Sequence, residues 1–219
     1  MALFEAAYQN GPYYYYHFLS GTDLPIKTKE EIYCFFELAE RNNYLVCKPG
    51  AQFISRFKYY HNVFRSKIIS IHFQETLNSI LLKCQIKLKI DRTRWLFNRY
   101  PLIAKGHNWC DLTHEAVKEL IHNINSIRRF CRFAHCPDEL YKQIVLLNSK
   151  NENARKIASE DIRYIIWREG EIHPKVFREN DFESIMSSPA LFARKFDDNI
   201  DMKIIDLIYD KLISIDVSE

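Results

Sequence analysis

Short apolar runs alternate along the chain with apolar positions at helical spacing. Residues 13–19 are rich in aromatics and predict a strand, because aromatic side chains are enriched in strands. Thr28, followed three residues later by Glu31, has the pattern of a helix capping box. The other predicted elements are a helix ending at residue 9, a loop over 20–25, strands over 44–46, 109–112 and 164–167, and helices over 113–124, 139–147 and 200–212. This alternation, without internal repeats, predicts a single α/β domain over residues 1–219.

The stretch from Ser66 to Lys89 combines apolar positions at helical spacing with basic residues. The apolar positions are Ile69, Phe73, Leu77, Ile80, Leu81, Cys84 and Leu88. The basic positions, within the stretch or just after it, are Lys67, Lys83, Lys87, Lys89, Arg92 and Arg94. Such a helix can pack on a core and leave a basic face in solvent, or it can lie on an anionic membrane surface. The first interpretation is the commoner one, and the second predicts peripheral membrane contact through residues 67–94.

Composition narrows the range of functions. Five glycines in 219 residues argue against a Gly-rich phosphate loop, and a net charge of +3 is too small to predict nucleic-acid binding. No apolar run approaches the roughly 20 residues that span a bilayer, and the first residues lack the basic segment of a signal peptide. The six cysteines include no CxxC pair, which predicts reduced, core-packed thiols in a cytoplasmic protein, with any membrane contact at the inner face.

Four segments resemble, in order, the motifs of one transferase family. Residues 18–28 (FLSGTDLPIKT) resemble GxDxPIKT, and residues 105–113 (KGHNWCDLT) resemble KGSxWxxLT. Residues 135–140 (HCPDEL) are similar to SPDE, and residues 191–197 to the LFARKFD signature. These motifs are typical of core-2/I-branching β-1,6-N-acetylglucosaminyltransferases and peptide O-xylosyltransferases. Each motif alone is weakly specific, but their shared order makes the chain resemble this family over most of its length.

The resemblance implies a GT-A-like glycosyltransferase domain, with a mixed sheet flanked by helices. It implies an inverting transfer of a GlcNAc-like or xylose-like sugar from a UDP-sugar to a glycan acceptor. Family members begin with a βαβ segment that helps to hold the nucleotide, and this chain starts near the point where that segment ends. We therefore expect the first βαβ portion to be missing, which would expose a sheet edge or an apolar face and favour self-association.

Glu139 is the candidate catalytic base, because the resemblance matches it to the glutamate of the SPDE motif. An inverting transfer needs a base for the acceptor hydroxyl and positive charge for the departing diphosphate. The residues alone allow a second interpretation, since Pro137, Asp138 and Glu139 are typical of a helix start. We expect Glu139 to be the base and Asp138 to cap the helix.

Arg163 and Lys195 are the candidate ligands of the donor diphosphate, because the resemblance matches them to basic positions that replace a metal ion in the core-2 branch. Two fixed cations can neutralise a diphosphate, and arginine adds bidentate geometry. Alternatively, Arg163 is a strand-end surface charge and Lys195 a solvated neighbour of Arg194. No two aspartates are separated by a single residue, so the sequence has no DxD metal motif. We expect no cofactor and no metal, with the UDP-sugar as co-substrate.

Six further residues are weaker candidates for contacts to donor or acceptor. Asp23 follows a predicted strand, where ligands gather in open α/β sheets, or it forms a turn before Pro25. Trp109 can stack on a sugar ring or belong to the core. The remaining weak candidates are His107, Asn108, Lys58 and His173, the last in a segment that resembles a family GxxHP turn.

Two other functions stay open at the level of sequence. One is a catalytically impaired remnant that retains acceptor binding. The other is a basic amphipathic protein that acts at a membrane surface through residues 67–94. Under the leading hypothesis the partners are a nucleotide-sugar and a glycan acceptor, with no nucleic acid. Affinity for uridine nucleotides separates this hypothesis from both alternatives.

Overall fold

The computed structural model describes residues 1–61, 63, 70–158, 160–171 and 173–216, and in these residues it contains three small sheets flanked by helices. The strands are β1 (Tyr15–Phe18), β2 (Asp23–Pro25), β3 (Asn43–Tyr44), β4 (Lys48–Pro49), β5 (Ala104–Lys105), β6 (Cys110–Thr113), β7 (Ile157–Ala158), β8 (Arg163–Ile165) and β9 (Phe192–Arg194). The first sheet has the order β1-β6-β3-β7, the second β2-β9-β8, and the third β4-β5.

Strand directions make both larger sheets mixed, as predicted. In the first sheet β1 and β3 run antiparallel to β6, and β7 runs parallel to β3. The carboxyl ends of β1, β3 and β7 therefore lie at the same edge as the amino end of β6. In the second sheet β9 pairs antiparallel with β2 and parallel with β8.

The second sheet corrects the predicted loop over residues 20–25. Residues 23–25 form β2, in which Asp23 lies opposite Arg194. Three residues that end in proline carry no local strand pattern, because proline cannot donate a ladder hydrogen bond. Pairing with a strand far along the chain makes this segment extended, so Asp23 begins β2, five residues after β1 ends.

Helices cover both faces of this arrangement. They are α1 (Ala2–Gln9), α2 (Lys29–Leu38), α3 (Ser55–Lys58), α4 (Ile71–Lys87), α5 (Arg94–Arg99), α6 (His114–His122), α7 (Ile124–Cys131), α8 (Tyr141–Leu147), α9 (Glu152–Arg155), α10 (Phe182–Met186) and α11 (Met202–Asp216), with 3-10 turns at Ala51–Ile54, Pro137–Glu139 and Glu179–Asp181. The predicted capping box is confirmed, since Thr28 Oγ1 accepts a hydrogen bond from the Glu31 N–H and the Glu31 carboxylate accepts one from the Thr28 N–H. Thr113 caps α6 with a single such bond, in which Thr113 Oγ1 accepts from the Ala116 N–H.

Three clusters of buried side chains hold these elements together. The largest packs α1, α6, α7 and α8 against the first sheet, and its members include Phe4, Leu112, Leu120, Ile127, Ile144 and Leu146. A second cluster lies under the second sheet and α11, with Ile26, Phe177, Ala193, Phe196, Ile204 and Ile208. A third joins the two sheets through Tyr15, Phe36, Tyr44, Leu191 and Phe192.

Helix α4 does not pack on a core in the way that the commoner interpretation of residues 66–89 predicts. It begins at Ile71, and residues 66–69, with Lys67 and Ile69, lie outside the described residues. None of its residues belongs to the three core clusters, and Gln85 is its buried residue. The predicted packing of this helix on a core is therefore wrong for its described part, because several apolar positions lie on the solvent side.

The cysteines are more exposed than their apolar surroundings predicted. All six are free; Cys110 is buried, whereas Cys34 and Cys84 are exposed on helices. The prediction of core-packed thiols therefore holds for Cys110 and is wrong for those two, since local apolar sequence does not report which helical face meets the core. Among the described residues, no helix is both long and apolar enough to cross a bilayer.

Candidate active site

One edge of the first sheet gathers the segments that carry most of the candidate residues. Because β1 and β3 end where β6 begins, residues 19–22, 45–47 and 105–109 meet there. The chain passes from β7 to β8 within a few residues, so Arg163 reaches the same region and lines one small cavity with Tyr44 and Trp109. Ligands commonly bind at the carboxyl ends of strands in open α/β sheets, which makes this edge the candidate active site.

Glu139 closes the 3-10 turn Pro137–Glu139 beside this edge. Its backbone carbonyl accepts a 2.9 Å hydrogen bond from the Gly106 N–H, which joins the turn to residues 105–109. Gly106 approaches the Val46 carbonyl so closely that a Cβ would collide with it. A glycine is therefore required where these two segments meet.

The start of α8 corrects the role expected of Asp138. The 3-10 turn delays the helix to Tyr141 and puts Leu140 at its N-cap position. Neither the turn nor α8 has a side-chain cap. The expectation that Asp138 caps this helix is therefore wrong, because its side chain stands three residues ahead of the first α-helical residue.

Two cations hold the Glu139 carboxylate. Arg56 Nη1, from α3, lies 2.8 Å from Glu139 Oε2, and Lys105 Nζ, from β5, lies 3.1 Å from the same oxygen. Partial burial favours the neutral acid, but the hydrogen bonds from Arg56 and Lys105 outweigh it and lower the pKa of Glu139 below its ordinary value. The side chain is 34% exposed. It is thus an anion that a ligand can reach, the form in which a carboxylate can act as a base.

Lys142 joins the segment 105–109 to the Pro137–Glu139 turn from inside the protein. Its side chain is fully buried, and Nζ donates to the Asp138 carbonyl (2.7 Å) and to Asn108 Oδ1 (3.1 Å). Burial lowers the pKa of Lys142. The amide oxygen of Asn108, predicted to bind acceptor, is thus bound by this lysine inside the protein.

His107 belongs to a row of flat side chains at the sheet edge. Its ring stacks on Trp109 with centroids 4.4 Å apart, and it lies nearly parallel to Trp167 at 6.3 Å. The Arg194 guanidinium lies 3.7 Å from the Trp109 centroid, a cation–π contact. Burial, aided by the charge of Lys48, lowers the pKa of His107 to about 4, so the ring is neutral at neutral pH.

Trp167 is the more exposed of the two tryptophans in this row. The indole of Trp109 is packed against groups of the chain itself, and its Nε1 is buried without a hydrogen-bond partner among the described residues. Trp167 is half-exposed. Its ring, which the sequence motifs did not single out, is the aromatic surface next to His107 that a ligand can reach.

Asp23 is bound by its own turn and by Arg194. Its carboxylate accepts hydrogen bonds from the Ser20 N–H (2.8 Å) and Ser20 Oγ (2.9 Å). Arg194 Nη1 lies 3.2 Å from Asp23 Oδ1. These bonds join Asp23 to the turn that precedes it, whereas the predicted turn before Pro25 is replaced by strand β2. The ion pair orients the guanidinium that covers Trp109.

Arg163 is not the surface charge that one interpretation predicted, since its side chain is 2% exposed. Nη1 donates to Asp111 Oδ2 at 2.6 Å, and Asp111 Oδ1 lies 2.8 Å from His17 Nδ1. The guanidinium also lies over the ring of Phe192. Its Nε and Nη2 are buried and make no hydrogen bond within the described part of the chain. Arg163 therefore has a fixed position and two donor nitrogens without a partner among the described residues.

Lys195 directly follows β9 and is partly buried. Its carbonyl accepts a 2.9 Å hydrogen bond from the Phe177 N–H. Its ammonium forms no ion pair with a carboxylate of the described residues, so its charge is not neutralised by a neighbour there. Those residues also contain no group of three His, Cys, Asp or Glu side chains that could hold a metal ion.

A family model described as Core-2/I-Branching enzyme matches residues 1–188. The chain belongs to this family. Core-2/I-branching enzymes are glycosyltransferases, so the predicted family and enzyme class are confirmed, and the mixed α/β fold is consistent with a GT-A-like domain. Comparison with curated proteins gives no significant match. The matched span includes Glu139 and Arg163 but ends before Lys195.

Two weak candidates of this core-2/I-branching enzyme lie apart from Glu139. Lys58 follows Arg56 on α3 by two residues, but its Nζ is 3.9 Å from Asp91 and near the Tyr59 ring. His173 is exposed in the loop after β8, and no contact joins it to the site among the described residues. Their proposed roles in ligand binding stay predictions.

Three charged residues of the enzyme's site were not predicted as site residues from the sequence. Arg56 and Lys105 bind Glu139, and Asp111 binds Arg163. Lys105 and Asp111 lie within the segment 105–113, already matched to a family motif, so a signal for both was present. Arg56 had none, because only the tertiary fold brings α3 to the Pro137–Glu139 turn.

Proposed function

We propose that this enzyme transfers a GlcNAc-like or xylose-like sugar from a UDP-sugar to a glycan acceptor, with inversion at the anomeric carbon. One observation carries the proposal: Glu139 is a partly exposed carboxylate, kept ionised by Arg56 and Lys105 beside the sheet edge described above as the candidate active site. Such a group can accept the proton of an acceptor hydroxyl.

The reaction follows from the position of this carboxylate. Glu139 takes the proton of the acceptor hydroxyl while that oxygen attacks the anomeric carbon of the donor sugar. The bond from the anomeric carbon to the diphosphate oxygen breaks on the opposite side, and UDP leaves with the electron pair. Both cations bind Oε2 of Glu139, so we assign proton transfer to Oε1.

The departing diphosphate needs positive charge, and the chain offers it without a metal ion. Lys195 supplies an ammonium that no carboxylate of the described residues neutralises. Arg163 adds a buried positive charge at the same edge, with two donor nitrogens, Nε and Nη2, that lack a partner in the described chain. Charge-assisted hydrogen bonds from such groups stabilise phosphate oxygens strongly, because the site is partly shielded from water.

The ring of the acceptor or donor sugar can stack on the indole of Trp167. Its half-exposed ring lies nearly parallel to His107, within the same row that ends at Arg194. Indole presents a large apolar face, and the C–H groups of a sugar pack on such faces. The neutral ring of His107 beside it can donate or accept one hydrogen bond without adding charge.

A donor assay tests the proposal. The full chain is incubated with UDP-GlcNAc or UDP-xylose and a panel of oligosaccharides, in the presence of a metal chelator, and UDP release is measured. We expect release that depends on an acceptor and persists in the chelator. An enzyme that binds no uridine nucleotide by calorimetry, yet binds a glycan, would identify an impaired remnant and refute the proposal.

The pH dependence gives a second test of Glu139. Because its pKa is lowered, the ionised base persists as the pH falls through the ordinary glutamate value, and kcat/KM declines only below it. Arg56→Gln or Lys105→Gln removes a cation and leaves the opposing effect of burial, so the acidic limb of kcat/KM is expected to move to higher pH. Arg128→Gln, which removes a cation paired with Glu5 outside the proposed site, is the matched control. An unshifted limb in both site variants would exclude Glu139 as the group that titrates.

A further inference from the structure

The outward side of α4 carries apolar residues that no part of the described chain covers. Ile71, Phe73, Ile80 and Ile86 are 52% to 75% exposed, and Cys84 is exposed between them. Leu88, the residue that follows the helix, is exposed to a similar degree. Scattered apolar residues are normal on protein surfaces, whereas several on one short helix mark a surface that meets a partner.

The helix is held to the protein through its other side. Gln85 is buried, its Oε1 accepts a 2.8 Å hydrogen bond from the Tyr60 N–H, and its Nε2 donates to the Tyr60 carbonyl at 3.0 Å. Leu77 and Leu81 on the same side are partly buried. The Gln85–Tyr60 hydrogen bonds and these partly buried leucines attach the helix, so the exposed apolar residues are not needed for its packing within the described chain.

Helical geometry places three of the exposed apolar residues and two exposed lysines of α4 in adjacent stripes. Phe73, Ile80 and Cys84 are spaced by seven and four residues, which brings them onto one face of a helix with 3.6 residues per turn. Lys83 and Lys87, four residues apart and both exposed, form the neighbouring stripe. We call the two stripes together the α4 surface.

The charge of the α4 surface is not neutralised locally. Lys83 and Lys87 form no ion pair with any described residue, and Glu75 is the one acid in the sequence of α4. Lys89, just beyond the helix, is also exposed. Two copies of such a surface would repel each other, whereas an anionic surface would attract it.

We propose that the α4 surface lies on a lipid bilayer containing anionic headgroups. Apolar side chains next to lysines on an interfacial helix are the pattern expected of such contact, since the apolar stripe enters the acyl boundary and the ammonium groups remain among the headgroups. Because Gln85 is hydrogen-bonded to Tyr60, shortly after α3, the bilayer would adjoin the side of the protein that supplies Arg56 to Glu139.

Vesicle sedimentation tests this contact without reference to catalysis. The full chain is mixed with phosphatidylcholine vesicles, or with vesicles in which about a third of the lipid is phosphatidylglycerol, and the pelleted fraction is measured. We expect binding to the anionic vesicles only. Lys83→Glu with Lys87→Glu should weaken it at least about 25-fold, from about fivefold for each basic residue lost. Phe73→Ser with Ile80→Ser should weaken it at least about tenfold.

A matched pair on another exposed helix is the control. Lys211→Glu with Ile213→Ser, on α11, changes the same kinds of exposed residue and should leave vesicle binding unchanged. Circular dichroism and thermal melting confirm that each variant folds, as expected for exposed positions. The proposal is overturned if the parent chain does not pellet with anionic vesicles, or if both α4 variants bind like the parent. It is equally overturned if, without vesicles, light scattering shows a multimer that the α4 variants dissociate, since a second copy would then cover this surface.

Discussion

Replacing Glu139 with glutamine is expected to lower the rate of sugar transfer by about 10²–10⁴-fold, because glutamine keeps the shape of the side chain but cannot take a proton. Arg56 and Lys105 can still reach its amide oxygen, so the Pro137–Glu139 turn should keep its place. The measurement is kcat for transfer by Glu139→Gln with the best donor and acceptor, alongside the affinity for UDP.

The neighbouring acid provides the control for this result. Asp138 is exposed, and its carboxylate accepts no hydrogen bond in the part of the chain that the structure describes. Asp138→Asn removes the same charge from the same turn and should leave kcat within a few-fold of the parent. If Glu139→Gln loses no more activity than Asp138→Asn, then Glu139 is not the base, and its bonds to Arg56 and Lys105 have only a structural role.

The largest effect on stability is expected at Asp111. Its carboxylate is fully buried in the middle of the first sheet and binds both Arg163 and His17. Asp111→Asn puts an uncharged amide against a buried guanidinium, which leaves that charge without its counterion. Breaking a buried ion pair in this way typically costs about 3–5 kcal/mol of unfolding free energy. The free energy of unfolding in urea measures the loss.

Two further variants test whether the loss of stability in Asp111→Asn comes from the buried ion pair and not from the removal of an acidic group in general. Glu5→Gln breaks the surface ion pair with Arg128 and should change the unfolding free energy by no more than about 1 kcal/mol. The double variant Asp111→Asn with Arg163→Met removes the uncompensated charge and should recover part of the loss. A loss below about 1 kcal/mol for Asp111→Asn alone would mean that Arg163 is stabilised by other groups.

Elements whose sequence signals lie within a few residues of each other could be predicted. The capping box of Thr28 and Glu31 could be predicted because the two residues that interact lie within three positions of each other. Strand β1 and the helical periodicities followed for the same reason. Glu139 was singled out by the family resemblance, whereas its residues alone favoured a helix start.

The elements and contacts that depend on pairing between distant segments could not be predicted from the sequence. Strands β2 and β9 are three residues each, and they exist because they pair with each other across most of the chain. The ionised state of Glu139 depends on Arg56, which no spacing rule connects to it. The α4 prediction was wrong for a related reason: periodicity reports an amphipathic helix, but only the fold decides whether the apolar face meets a core or remains outside.

The order of strands in the second sheet has a consequence for synthesis on the ribosome. β9 lies between β2 and β8, yet it is the last of the three to be made. Until residues 192–194 emerge, β2 and β8 have no neighbour in their sheet, and Ile26 and Phe177 lack the side chains of α11 that cover them. Pairings so distant in sequence form slowly and expose strand edges meanwhile. The first core, whose buried residues extend to Ala154, can therefore form before the second, and the second sheet stays open until residues 192–194 have emerged, an interval in which chaperones would act.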